Sequence, residues 1–487
     1  MKNGKVQKAL GILAIFGVVA TSVLLIIALF SRVRSGETIF GTYEMGTAFA
    51  ISIIILLLLL LRFLLLLLFG MIEHNRYNNK NRPDVVLENA QAAPDESAEQ
   101  PEQKDIEEEP KPEQPAEMPE AGEEVPEAGR FCKLIALDEA KAQYKRTDTV
   151  GSVSLKQFCD SFRAYAAGHL KLYYDISDIR RFIAGLAVSK ILILQGMSGT
   201  GKTSLAHAFG DFLDNPATVI PVQPMWKERT DLIGYYNEFT KRFNETTLLE
   251  KMYEANYSDD IYVTVLDEMN IARVEYYFAE FLSLLELPNV EERLITVVSD
   301  MWESDPEQLQ NGNLRLPPNM WFIGTANNDD STFAISDKVY DRAMILDLDQ
   351  KSDPFEVSSQ ISRIPLSAHR FEELVKQAMR EYALTARNLH RLEDLDRYLM
   401  KHFHITFGNR IMKQIRCYIP VFVACGGDEL DALDDILAKK VFRKLKLQNP
   451  IYLRNTSAAL SAYLDELFGD NRMAVCKAFI ANLERNI

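Results

Sequence analysis

Five cysteines in 487 residues, at positions 132, 159, 417, 425 and 476, are too few and too irregularly spaced for a disulfide framework or a thiolate metal site. That usage fits a reducing compartment. Histidine is also scarce, with seven in the chain; the one close pair, His402-x-His404, has no third ligand nearby and reads as ordinary helix-end residues. No internal repeat is present. Between Asn81 and Gly129 there is no aromatic residue but 8 of the 19 prolines, and residues 81–130 hold 16 Asp/Glu against 4 Lys/Arg. This segment carries −12 of the net −15, so the acidity is local and the remainder is close to neutral. It cannot bury enough apolar surface to fold, and it reads as a solvated linker. As a coil of this length it has an r.m.s. reach on the order of 40 Å. Its charge also opposes approach to nucleic acid and anionic lipid.

Charge is missing from another stretch, Ala9 to Phe30, which is long enough to cross a bilayer as a helix. A second apolar stretch, Met45 to Ile72, is interrupted only by Arg62. Two transmembrane helices are expected, at about 9–30 and 45–72, within a membrane anchor of residues 1–80. A cleaved signal peptide is the alternative for the first, since Lys2, Lys5 and Lys8 precede it. Against it stand the length of the apolar part and the lack of a small-x-small site. Arg76, Lys80 and Arg82 follow the second stretch, so the flanking cations favour both termini on the cytoplasmic side. Arg62 has two readings: a charge paired within the membrane, or a side chain snorkelling to the headgroups.

The most informative stretch is Lys190-Ile-Leu-Ile-Leu-Gln195 running into GMSGTGKT, followed by the helical pattern SLAHAFGDFL. A buried strand delivers a glycine-rich turn whose backbone N–H groups converge on phosphate. The nucleotide-binding residues are then Gly196, Met197, Ser198, Gly199, Thr200, Gly201, Lys202, Thr203 and Ser204. Lys202 would reach the β- and γ-phosphates, and Thr203 would ligate Mg²⁺ at the helix N-terminus. Ile261-Tyr-Val-Thr-Val-Leu266 is a second buried-strand run, ending in Asp267-Glu268. Asp267 would hold Mg²⁺ through water, and Glu268 would polarise the attacking water. No Asn-Lys-x-Asp lies in the domain, which argues against a Ras-like guanine site. A third strand, Trp321 to Ala326, ends in Asn327-Asn328, and Asp341-Arg342 precedes a fourth, Ala343 to Leu346.

Here a resemblance emerges. LDEMNIARVEYYFAEFLSLLE, GTANNDDSTFAISDKVYDRA and VQPMWKERTDLIGYYN resemble AAA+ ATPases of the MoxR, dynein-related and McrB-like branch, over about residues 150–450. The resemblance implies an α/β fold. A P-loop AAA+ core of parallel sheet flanked by helices (131–350) would be followed by a C-terminal helical lid (351–487), with ATP and Mg²⁺ as cofactors. It also implies a ring of subunits, hexameric in the family's usual form. Carried over by position, Asn327 orients the lytic water and Arg342 is the arginine finger reaching a neighbour's γ-phosphate. Arg410, in HITFGNRIMKQIRCYI, would contact the nucleotide of its own subunit. Arg342 and Arg410 could instead be surface cations. GTP-using relatives carry Met-Asn-x-x-Asp-Arg at the third strand; Ala326 to Ser331 lacks that Met and Arg, which favours ATP.

The segment Val222 to Asn237 joins Trp226 to a Gly-Tyr-Tyr turn. Such aromatics either pack in the core or grip an extended polymer from a mobile loop. Pro288 to Pro318 reads as an insertion with a strand at Ile295–Val298, an acidic loop and an Asn311-Gly312 turn. Helical spacing recurs over Phe158–Gly168, Ile176–Ser189, Phe371–Ala383, Leu389–His402 and Asn409–Val423. Two functions fit: a membrane-tethered ATPase ring that remodels or activates a partner protein, or the McrB-like motor of a nucleic-acid-targeting defence complex. The near-neutral core and acidic linker favour the first.

Overall fold

The computed structural model describes residues 129–144, 153–327, 332–349, 352–357 and 362–485. Both apolar stretches, Arg62 and the linker up to residue 128 lie outside the described residues. Among the described residues, no helix is long and apolar enough to cross a membrane.

The first half alternates strand and helix. Helices α1 (Lys133–Ala140), α2 (Leu155–Leu170) and α3 (Ile176–Val188) lead into β1 (Ile191–Gly196) and α4 (Lys202–Phe212). After β2 (Thr218–Pro221) come α5 (Thr230–Ile233), a hairpin of β3 (Gly234–Asn237) and β4 (Arg242–Glu245), and α6 (Thr247–Ala255). Strand β5 (Tyr262–Asp267), α7 (Val274–Tyr277) and α8 (Ala279–Leu284) precede a second hairpin, β6 (Leu294–Thr296) with β7 (Asn313–Arg315). Then follow β8 (Met320–Asn327), α9 (Asp337–Tyr340) and β9 (Met344–Asp347). The rest is helical: α10 (Ala368–Glu381), α11 (Ala386–Phe403), α12 (Asn409–Ala424), α13 (Glu429–Lys440), α14 (Pro450–Phe468) and α15 (Ala474–Arg485).

Five strands pair in the order β2-β5-β8-β1-β9, all parallel. Parallel strands need helical crossovers, which cover both faces, so each strand is apolar on both sides. In β1, Leu192 and Leu194 face one core with Phe158, Phe162, Phe182, Phe209 and Phe212. Ile191 and Ile193 face the other, with Phe278, Phe281 and Phe322. The first core continues without a break into the C-terminal helices through Ile415, Tyr418, Leu433 and Leu437. Burial of that many large side chains, each contributing about 1.5–3 kcal/mol, is what fuses lid to sheet.

The insertion expected at Pro288–Pro318 contains the β6–β7 hairpin, turning through Asn311 (φ +49°) and Gly312 (φ +75°). Arg130, read from sequence as the end of the linker, belongs instead to the fold and is 2% exposed. Its guanidinium pairs with Asp305 (2.7 Å) and Asp300 (3.0 Å) and lies 4.5 Å from the centre of the Trp302 ring. Three partners from one distant loop compensate the burial of that single cation. The adjoining α1 is held to the first hairpin, because Glu245 accepts from the backbone N–H groups of Cys132, Lys133 and Leu134.

Candidate active site

The carboxyl ends of β1, β5 and β8 lie side by side, where open α/β sheets bind ligands. The loop Gly196–Gly201 leaves β1 and enters α4. Gly196 has φ +144°, and a Cβ there would sit 2.5 Å from the Leu348 carbonyl oxygen, so the turn excludes any side chain. Gly201, at φ +90°, caps α4, and its carbonyl accepts from the Tyr174 hydroxyl at 3.0 Å. The first turn of α4 carries no acidic residue that would repel an anion at this helix N-terminus. Lys202 is buried, and its ammonium donates to the carbonyls of Gly196 (3.1 Å) and Met197 (2.7 Å). The lysine thus stays folded inside the loop that it closes.

Asp267 ends β5, with β8 between it and β1. One carboxylate oxygen, Oδ1, accepts from Thr203 Oγ1 at 2.8 Å and from Thr325 Oγ1 at 2.7 Å. The Thr325 hydroxyl in turn accepts from the backbone N–H of Glu268 at 2.8 Å. Glu268 lies in the left-handed region at φ +51°. A non-glycine residue there costs on the order of 1 kcal/mol, and such strain clusters at functional sites. Here it turns the chain abruptly at the strand tip. A hydroxyl beside a carboxylate is the hard oxygen donor set that Mg²⁺ takes.

Asn327 ends β8 directly opposite Gly196 in the register. Its carbonyl accepts from Asn270 Nδ2 at 2.9 Å and from Thr332 Oγ1 at 3.1 Å. Asn270 also accepts from the Phe333 N–H at 2.8 Å through its own carbonyl, tying the segment after β5 to that after β8. Asn328 to Ser331, most of the departure from the GTP signature, lie outside the described residues. Thr325, Asn270 and Tyr174 were not singled out from sequence. A Thr two residues before Asn327 and an Asn two residues after Glu268 carry no pattern of their own; the pairing of β5 with β8 is what makes them neighbours.

Arg342 lies at the opposite end of the sheet. Its carbonyl accepts from Ser189 Oγ, just before β1 begins, and Met344 pairs with Leu192. From there to the phosphate loop is about six strand residues, roughly 20 Å, more than an arginine can span. Arg342 Nε faces Glu286 Oε2 at 2.9 Å, and Arg342 Nη1 donates to the Lys338 carbonyl at 2.9 Å. Arg410 pairs with the other oxygen of the same carboxylate, at 2.7 Å. One turn further on α12, Gln414 donates to the Asp341 carbonyl at 3.3 Å. Arg410, expected to contact the nucleotide of its own subunit, is thus placed beside Arg342, where the first turn of α12 begins.

A different lid cation does reach the root of that loop. Lys439 on α13 pairs with Asp435 (2.7 Å) and lies 3.7 Å from Asp347, whose carboxylate accepts from Gln195 Nε2. Burial, with Asp347 nearby, holds the Asp349 carboxyl above its ordinary range, against the pull of Lys439 and Lys202. The neighbouring Lys440 points the other way and donates to the carbonyls of Tyr340 and Ala343, on either side of Arg342.

The stretch Val222 to Asn237 divides. Trp226 packs on Tyr277 (5.6 Å, edge to face) in the core, whereas Tyr235 is exposed. Among the described residues the most exposed aromatic is Phe239, at the β3–β4 tip beyond that stretch, 99% exposed.

Residues 191–343 match the family model of the AAA domain, dynein-related subfamily. The chain is an ATP-hydrolysing P-loop enzyme. Among solved structures, the ATPase is similar to a protein from Cytophaga hutchinsonii described as a candidate ATPase, with 14% identity and a TM-score of 0.40. The match covers 63% of this chain and 90% of that one. A full-length MCM homolog from Methanopyrus kandleri matches with 12% identity and a TM-score of 0.34, over 61% of this chain and 64% of that one. The ATPase thus spans just under two thirds of the second. No curated protein matches the sequence.

Proposed function

We propose that this ATPase works as a ring, tethered to a membrane by residues 1–80 with both termini cytoplasmic, and that it remodels or activates a partner protein. ATP with Mg²⁺ is the substrate. The phosphate loop holds the triphosphate, and Thr203 and Asp267 hold the metal. When bound, Mg²⁺ neutralises charge on the β- and γ-phosphates. Glu268 and Asn327 orient and activate the lytic water.

The observation that carries the ring is the separation of Arg342 from its own phosphate loop. A guanidinium roughly 20 Å away along the sheet is out of reach of its own subunit's nucleotide, which supports action on a neighbour's. Arg410, paired to the same carboxylate, would act there too. The protein partner is supported by two hairpins that present Phe239, Tyr235, Met301 and Trp302 to solvent, and by a surface with little net positive charge. A nucleic-acid partner would need clustered phosphate-binding cations, which the acidic linker opposes.

The test is specific activity of the full-length protein against its concentration, with ATP and with GTP. Activity should favour ATP and rise with concentration, since assembly completes the site. Mixing Arg342→Ala with Glu268→Gln should restore activity that neither has alone. Flat specific activity down to the monomer, without complementation, rejects the ring. The tether is checked by protease added outside intact cells, which should reach only the loop Ser31 to Glu44 and spare the ATPase domain.

A further inference from the structure

We propose that Glu286 is the positioning residue that sets Arg342 and Arg410 as a pair for the neighbouring subunit's nucleotide; this rests on the ring reading above. Glu286 follows α8, on the segment that starts at Asp267–Glu268, so one stretch of chain begins in the subunit's own site and ends beside the two arginines. Its two oxygens divide between them, Oε2 at 2.9 Å from Arg342 and Oε1 at 2.7 Å from Arg410. All three side chains are partly exposed, 30% for Glu286, 26% for Arg342 and 48% for Arg410, so the cluster lies at the surface.

The charge balance explains why a carboxylate belongs there. Two guanidiniums this close repel one another, and without an anion between them they would splay. With Glu286 the cluster carries one net positive charge and a defined spacing, ready for a triphosphate brought in by another subunit. Arg342 Nε has no linear hydrogen bond, so the Glu286 contact fixes location more than orientation, and only the Nη1 bond to the Lys338 carbonyl must be exchanged for the guanidinium to turn toward phosphate. Lys440, through the carbonyls of Tyr340 and Ala343, and Gln414, through that of Asp341, hold the backbone on which Arg342 sits. On the side chains themselves, the Lys338 carbonyl accepts from Arg342 Nη1 at 2.9 Å, and Glu286 is the constraint that Arg342 and Arg410 share.

The experiment uses full-length Glu286→Gln and Glu286→Asp with ATP. A displaced catalytic group costs on the order of 100-fold. Glu286→Gln should therefore lower kcat about ten- to hundred-fold, with ATP affinity, measured with a fluorescent ATP analogue, within about twofold of wild type. Glu286→Asp, which keeps the charge, should fall between. Mixed with Glu268→Gln, Glu286→Gln should regain activity, because the former supplies intact arginines and the latter an intact nucleotide site. Mixed with Arg342→Ala it should not, since both are defective on the same side. Wild-type kcat in Glu286→Gln, equal loss in Gln and Asp variants, or failure to complement Glu268→Gln where Arg342→Ala does, would overturn the proposal. Failure of Arg342→Ala itself to complement Glu268→Gln would instead overturn the ring reading beneath it.

Discussion

The two ends of the parallel sheet are built in different ways. At the carboxyl end, Thr203, Asp267, Thr325 and the Glu268 amide form a continuous hydrogen-bonded chain across three neighbouring strands or helices. Asp267 and Thr325 are placed by strand register, and Thr203 by the first turn of α4, with Thr325 buried and Thr203 and Asp267 partly covered. At the amino end, Arg342, Arg410 and Glu286 come from three separate elements and meet at the surface through ion pairs. Exposed ion pairs are individually worth about 0–1 kcal/mol, so this cluster can be exchanged for other partners at little cost. The difference indicates a division of work. On the function proposed above, one end would bind and orient within the chain, while the other would meet a neighbouring subunit.

The strongest way to break this comparison is to remove one cation from each end. Lys202→Ala should lose nucleotide binding itself. Arg342→Ala should leave binding nearly unchanged but lower turnover on the order of 10³-fold or more, the scale of an arginine finger. Equilibrium binding and single-turnover rates, measured side by side, separate the two. Loss of binding in Arg342→Ala would show that the amino end also serves its own nucleotide.

A smaller effect sharpens the picture of the carboxyl end. Thr325→Val keeps the shape of the side chain but removes a hydroxyl that serves both Asp267 and the Glu268 amide. Leaving that partly buried amide unsatisfied costs at most about 1–3 kcal/mol, a loss expected in thermal unfolding. Turnover should fall about tenfold while ATP affinity changes little, since the phosphate loop itself is intact. An unchanged kcat would mean that strand register alone sets Glu268.

The smallest effect is on pH dependence. Burial pushes Lys440 down to about 7, with Arg443, Arg410 and Lys444 acting in the same direction and Asp341 opposing. The unfolded chain keeps this lysine protonated up to its ordinary value near 10.4, so above about pH 7 the unfolded state binds more protons than the native one. Lys440 therefore contributes a stability that increases from about pH 7 upward, by at most about 1.4 kcal/mol per pH unit. Lys440→Met should remove that slope, read as the difference between wild-type and variant unfolding curves at pH 7, 8 and 9. A difference independent of pH would mean that the ammonium stays charged on the Tyr340 and Ala343 carbonyls.

Sequence by itself determined the nucleotide end. The glycine pattern Gly196–Gly201, Lys202–Thr203 and the strand-terminal Asp267–Glu268 are local signals. Each is a short stretch whose backbone conformation and chemistry depend on its own residues, and a strand followed by a helix is legible as a change of apolar period. Helices α10, α11 and α12 were legible for the same reason, within a few residues at each end, whereas α13, α14 and α15 were given no bounds. Only the tertiary structure decided the rest. Thr325 and Asn270 matter because β8 lies between β5 and β1, an order of strands that no local stretch encodes. The nearness of Arg410 to Arg342 was not legible, because a helix pattern reveals its apolar face but not the direction in which it packs on α3. Arg130 looked like the end of an acidic linker until Asp300, Asp305 and Trp302, some 170 residues away, surrounded it. Contacts between distant segments depend on packing of the whole core, and that is where the pairing of Glu286 with both arginines was settled.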